Sequence, residues 1–184
     1  YEMSASLVGS EMCIRDRMCS VAKPIIKQIR DSRETLDFFE TVSLSAEDEK
    51  TQDIIMNFPT VYIHNWQDSG AFEVYVGETN NIFKRTRQHY DAALNQPGWR
   101  SKLLKKDASL FIIGHEHFNK SLTLDIENRL MHYMMSVERV KRVYNLRDNP
   151  QTSYYPMEEF DEIFSIIWRG LRNCLLYTSP SPRD

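Results

Sequence analysis

The sequence predicts an α/β (α+β) fold: a small three-stranded mixed or antiparallel sheet flanked by helices, with helical extensions at both ends. Three observations carry this. Residues 60–64 and 73–77 are rich in Val, Tyr and Ile and are separated by Gln67-Asp68-Ser69-Gly70, the pattern of a hairpin with a glycine-containing loop. Directly after it, Ile82, Phe83, Thr86, Tyr90, Ala93 and Leu94 recur at helical spacing and predict a helix over 81–94. Ala108 to Gly114 is a short apolar run after Asp107, and it reads as a buried third strand.

Taken in order, Val21 to Val42 is polar with scattered Ile25, Ile26, Ile29, Leu36 and Phe39, and reads as one or two short helices interrupted near Asp31-Ser32. A further helix is expected from Ser45, where Ser45-x-x-Asp48 approximates a capping box, to Met56, with Pro59 stopping it before the first strand. Residues 18–57 thus form an N-terminal helical segment with no motif to which chemistry attaches. On the helix after the hairpin, Arg85 and His89 are four apart and share a face.

Asn95-Gln96-Pro97-Gly98 is a loop, and Trp99 to Lys106 reads as a short basic helix carrying Arg100, Lys102, Lys105 and Lys106. A solvated face and a phosphate-contacting patch both fit these charges, and Lys84 and Arg87 join them as candidate nucleic-acid contacts. His115-Glu116-His117 invites a metal hypothesis, but His-x-His without a third ligand at set spacing is a weak signal.

Ser121 suits the cap of a helix over 121–138, whose apolar stripe is Leu122, Ile126, Leu130, Tyr133, Met134 and Val137. Glu127 lies at the edge of that stripe, and a core-facing carboxylate is costly unless paired or bound to a cation. An ion pair with Arg85 and a divalent metal both answer that need. Val143-Tyr144-Asn145 is a short edge segment. The last helix, 157–172, has the face Phe160, Ile163, Phe164, Ile167 and Leu171, with acids at its start and arginines at its end. Packing on this domain and bridging to a following one both fit that face.

The chain of 184 residues has a formal net charge of −3, which argues against a protein that coats nucleic acid nonspecifically but leaves room for a local basic patch. No apolar run approaches the ~20 residues of a membrane span, so no membrane association is expected. The ends read as foreign. LVGSEMCIRDR at 7–17 and CLLYTSPSPRD at 174–184 resemble translations of the two strands of one sequencing-library adapter, so 1–17 and 174–184 are set aside from fold reasoning. Cys19 is then the one cysteine left, no internal disulfide is expected, and cytoplasm is the default location.

The order of residues in the middle of the chain resembles the GIY-YIG nuclease family. Val61-Tyr62-Ile63 stands where the family has its first tripeptide, and Tyr75-Val76-Gly77 looks like the second. Asn81-Ile82-Phe83-Lys84-Arg85 followed by His89 is similar to the family's N-L-x-x-R-x-x-x-H helix. The resemblance covers about residues 58–147, roughly half the chain. It implies a metal-dependent endonuclease acting on DNA, with RNA not excluded. Glu127 would hold a single Mg²⁺ or Mn²⁺, Arg85 would neutralise phosphoryl charge, Tyr62 helped by His89 would serve as general base, and Tyr75 would position water. Asn145 looks like the family's late site asparagine. The stretch is also similar to the form of this domain fused ahead of a P-loop helicase-like ATPase domain in bacterial proteins, so 148–173 is expected to lead into such a region. Two departures stand out: Thr60 precedes the first tripeptide where the family has glycine, and Glu78 follows Gly77 where the family has a small residue. That extra carboxylate motivates an alternative expectation, a catalytically inactive nucleic-acid- or protein-binding module.

Overall fold

The computed structural model describes residues 22–68, 70–95, 98–104, 108–144 and 157–173. Its centre is a five-stranded mixed sheet in the order β1-β4-β2-β3-β5, where β1 is Ile25–Arg30, β2 Thr60–Asp68, β3 Ala71–Thr79, β4 Ala108–Gly114 and β5 Val140–Val143. Every pairing is antiparallel except β3 with β5. The expected α/β (α+β) class holds, but the sheet is wider than three strands by one strand at each edge.

The strand at one edge corrects the reading of the N-terminal segment as helical. Ile25-Ile26-Lys27-Gln28-Ile29-Arg30 pairs along its whole length with β4. Ile25 and Ile29 pack on one side of the sheet and Ile26 on the other. A separation of four satisfies both a helical and a strand period, so these isoleucines do not discriminate. At the opposite edge β5 pairs with Phe72–Val74, and among the described residues the Tyr75–Thr79 half of β3 has no strand neighbour on that side.

Local signals set most other boundaries. Between β2 and β3, Gly70 stands at φ 83, the left-handed region that glycine enters without steric cost. Helix α1 (Arg33–Phe38) is capped by Ser32, whose hydroxyl accepts from the Thr35 amide, and it continues into a π-helical turn at Phe39–Ser43. Helix α2 (Glu49–Asn57) is capped by Asp48 and not by Ser45, because the Asp48 carboxylate takes both the Thr51 amide and the Thr51 hydroxyl. Helix α3 (Ile82–Asn95) starts where the Asn81 side chain accepts from the Lys84 amide at 2.8 Å. Helix α4 (Lys120–Met135) is capped by Asn119, two residues before the expected Ser121. Trp99–Leu104 is a 3-10 segment, and α5 spans Met157–Asn173.

Both faces of the sheet are covered. Val61, Ile63, Val74, Val76, Phe111 and Ile113 point to one side, where α4 and α5 bury them against Ile126, Leu130, Met134, Phe160, Ile163 and Ile167. The amphipathic face of α5 therefore packs on this domain. Gly170 lies so close to β1 that a Cβ there would meet Ile26 Cδ1 at 2.7 Å. The alternate residues Tyr62, Trp66, Tyr75, Leu110 and Ile112 point to the other side, under α1, α3, Leu103 of the 3-10 segment and Ile55 of α2. No described helix is long and apolar enough to cross a membrane.

Candidate active site

Tyr62 is the hub of a polar cluster on the second face. Its hydroxyl lies 2.9 Å from His89 Nε2, and it also hydrogen-bonds with Arg85 and Tyr75. These four residues come from β2, β3 and α3. They meet because Gly77 has no side chain: a Cβ there would stand 2.5 Å from both Cζ and Oη of Tyr62. Arg85 is half-buried and also bonds Tyr75, so one guanidinium spans both tyrosine hydroxyls.

The cluster is enclosed. Tyr62 is 0 % exposed, His89 1 % and Tyr75 8 %. Trp99 stacks on Tyr75 with ring centroids 3.9 Å apart and meets His89 edge-on at 5.1 Å. Arg100 caps the assembly, lying 5.0 Å from the Trp99 ring centroid and placing its Nε 3.3 Å from His89 Nδ1. Burial, with His64, Arg85 and Arg100 nearby, pushes the His89 imidazole down to about 2, so it is neutral across the physiological range. Burial also raises the Tyr62 phenol well above its ordinary value despite Arg85, so Tyr62 rests as a neutral hydroxyl. The positive charge a tyrosine base would need is present, and desolvation outweighs it.

Hydrogen-bond bookkeeping gives the cluster a direction. Arg100 has only donors, so His89 Nδ1 accepts from it and the single proton of the neutral ring sits on Nε2, donated to Tyr62. Tyr62 accepts from Arg85 as well and passes its own proton towards Tyr75.

Around this hub are groups that the sequence reading did not single out. His64, two residues after Tyr62 and so on the same face, is 0 % exposed, with Nδ1 2.6 Å from Asp31 Oδ2. The Tyr90 hydroxyl donates to the other oxygen of Asp31 at 2.6 Å. Further along β2, Glu73 accepts from Trp66 Nε1 at 2.9 Å and from Tyr144 Oη at 3.0 Å, and Lys102 forms an ion pair with the same carboxylate. Burial pushes Glu73 up, but hydrogen bonds from Lys102, Trp66 and Tyr144 overcome it and hold the carboxyl at about 2. Strand alternation could have placed His64 and Trp66 beside Tyr62. Nothing local in the sequence points to Asp31.

The expected basic contacts divide. Arg87 pairs with Asp37 and Glu40, and Lys102 with Glu73, so both serve internal carboxylates. Lys84 is exposed on the first turn of α3, one residue from Arg85. Lys105, Lys106 and Asn145 lie outside the described residues.

Glu127 is buried on α4, at 8 % exposure, and makes at least one polar or electrostatic contact within the fold. Helix α4 covers the aliphatic face, whereas Tyr62 lies on the other. Beyond Val74, β3 has no paired neighbour on the β5 side among the described residues. Glu78, at the end of that strand, accepts from Thr123 at 3.4 Å and pairs with Lys120, and Glu127 is one helical turn beyond Thr123. The charge of Glu78 is thereby offset by a lysine of α4. Among the described residues no group of three or more His, Cys, Asp or Glu converges on a metal position. The oxygen donors at hand, Glu127 and Glu78, are of the hard type that Mg²⁺ and Mn²⁺ take. No family model, curated protein or solved structure matches this chain.

Proposed function

We propose that the chain is the nuclease module of a larger protein, a GIY-YIG-type endonuclease that hydrolyses DNA phosphodiester bonds with Mg²⁺ or Mn²⁺. The observation that carries this is the meeting of Tyr62, Tyr75, Arg85 and His89, from three separate elements, in one hydrogen-bonded cluster over Gly77. A phosphoryl transfer needs a deprotonated nucleophile, neutralised charge on the phosphoryl oxygens and a stabilised leaving group. Half-buried Arg85 would offer its guanidinium to a phosphate beside exposed Lys84 and the N-terminus of α3. The Tyr62–Tyr75 hydroxyl pair orients the attacking water, with His89 holding Tyr62 in place. Glu127 would hold the divalent ion at the open edge of β3, where such an ion supplies charge neutralisation to the phosphate and leaving oxygen.

A second reading has its own support. Trp99 and Arg100 close the cluster against solvent, and a module that binds nucleic acid through Lys84 and Arg85 without turnover fits that enclosure. Nicking of supercoiled plasmid by the whole chain with Mn²⁺, alongside Glu127→Gln, separates the two. The nuclease reading expects nicking that needs Mn²⁺ and falls about 100-fold or more in Glu127→Gln. Plasmid binding with no nicking at any Mn²⁺ concentration would favour the binding module.

A further inference from the structure

His64 carries a buried ring nitrogen, Nε2, that has no hydrogen-bond partner among the described residues. Its Nδ1 faces an Asp31 carboxylate that also accepts from Tyr90, and burial together with the charge of Asp31 keeps the Tyr90 hydroxyl protonated and donating. His64 Nδ1 therefore carries a proton and donates it, and in the neutral ring the lone pair is on Nε2. A buried polar atom without a partner costs stability, and it persists in native proteins where it is used. The two ring nitrogens point in nearly opposite directions, so Nε2 faces away from Asp31. Around the His64 ring lie Tyr62 and Tyr75 from the sheet, His89 from α3 and Trp99 from the 3-10 segment, with ring centroids 5.4, 6.1, 5.5 and 5.7 Å away. Arg85 and Arg100 are the charged groups beyond them.

His89, the imidazole suggested by motif order, has no lone pair to offer, since Nδ1 accepts from Arg100 and Nε2 donates to Tyr62. The chain of donors Arg100, His89, Tyr62 ends at the Tyr75 hydroxyl, and Tyr75 is the cross-strand partner of His64. An O–H without an assigned acceptor and a nitrogen lone pair without a donor thus stand on paired residues. We infer that His64, oriented by Asp31, is the proton acceptor of the site and acts through Tyr75. This inference rests on the nuclease reading for its substrate. In the step, a water at the Tyr75 oxygen gives up a proton as the Tyr75 O–H bond breaks and an N–H bond forms at His64 Nε2. Hydroxide is left to attack phosphorus, the imidazolium charge is opposed by Asp31, and the proton returns to solvent afterwards.

Two measurements on the whole chain test this. Long-range ¹H–¹⁵N spectra of histidine-labelled protein near neutral pH should show His64 protonated at Nδ1 and bare at Nε2, with His89 the reverse tautomer. His64 protonated at Nε2 would overturn the inference whether or not the protein cuts DNA. His64→Asn keeps a side-chain N–H for Asp31 while removing the basic nitrogen. It should retain the wild-type melting temperature and KM but lose on the order of 100-fold in kcat, the scale of a general base. Wild-type kcat in His64→Asn would mean that the Asp31–His64 pair is a staple of the fold and not a base. If the wild type never cuts, the nuclease reading fails separately, and the tautomers alone decide whether His64 is the open proton acceptor.

Discussion

The two faces of the sheet are built from alternate residues of the same strands, and they hold together in different ways. On the α4–α5 side, Val61, Ile63, Val74, Val76, Phe111 and Ile113 meet the aliphatic and aromatic stripes of two helices, and burial of apolar surface is sufficient to hold them. On the α1–α3 side, Tyr62, His64, Trp66, Glu73 and Tyr75 are as deeply buried but carry polar atoms, so each must be placed by a specific partner. One face supplies cohesion that is indifferent to pH. The other stores oriented donors and acceptors at the cost of sensitivity to protonation.

The largest expected effect lies on the aliphatic face. Phe111→Ala should cost about 3–5 kcal/mol, by loss of burial and by the cavity left at the centre of the sheet. Urea unfolding should give the same loss at pH 8 and pH 6, and a loss that varied with pH would show the faces to be coupled. Gly77→Ala probes the other face by adding one methyl group where Tyr62 leaves no room. It should cost about 1–3 kcal/mol through overpacking, and it should also break the Tyr62–His89 bond. An unchanged melting temperature would show that the ring can swing aside.

Acid should weaken the polar face. His89 is held near 2 in the fold but takes a proton near 6.5 when unfolded, so below about 6.5 the unfolded chain binds the extra proton. Stability is then complete at neutral pH and falls on acidification at up to about 1.4 kcal/mol per pH unit. Glu73, held near 2 against an ordinary 4.5, adds a second loss of the same sign below about 4.5. Denaturation midpoints that stay flat from pH 7 to 5 would contradict a neutral buried His89. The smallest effect is expected from Arg33→Ala, whose pair with Asp91 is exposed on both sides and should shift stability by under about 1 kcal/mol.

The parts of this fold governed by short-range rules could be read in the sequence. The hairpin turned at Gly70, Asn81 opened α3 beside Arg85, and Ala108–Gly114 formed the expected central strand. The Tyr62, Tyr75, Arg85 and His89 order placed four residues that do meet. What could not be read depended on contacts distant in sequence. Ile25 and Ile29 fit two periods, and only the partner strand selects one. β5 is four residues long, with exposed Lys141 and Arg142 at its centre and no apolar alternation, so the expected edge segment from Val143 met only its last residue. The buried edge of the α4 stripe was visible at Glu127, but periodicity says that a helix has an inner face and not which side of a sheet it covers. The Asp31–His64 bond joins residues 33 apart across β1 and β2, beyond any local pattern.

The central claim is that the Tyr62 cluster presents Arg85 to a scissile phosphate, and the most direct test is plasmid nicking by Arg85→Ala beside the wild type. Melting temperatures and DNA affinities are measured on the same samples. The account predicts a fall of about 100- to 1000-fold in nicking, with folding retained. Nicking by Arg85→Ala at the wild-type rate would contradict it.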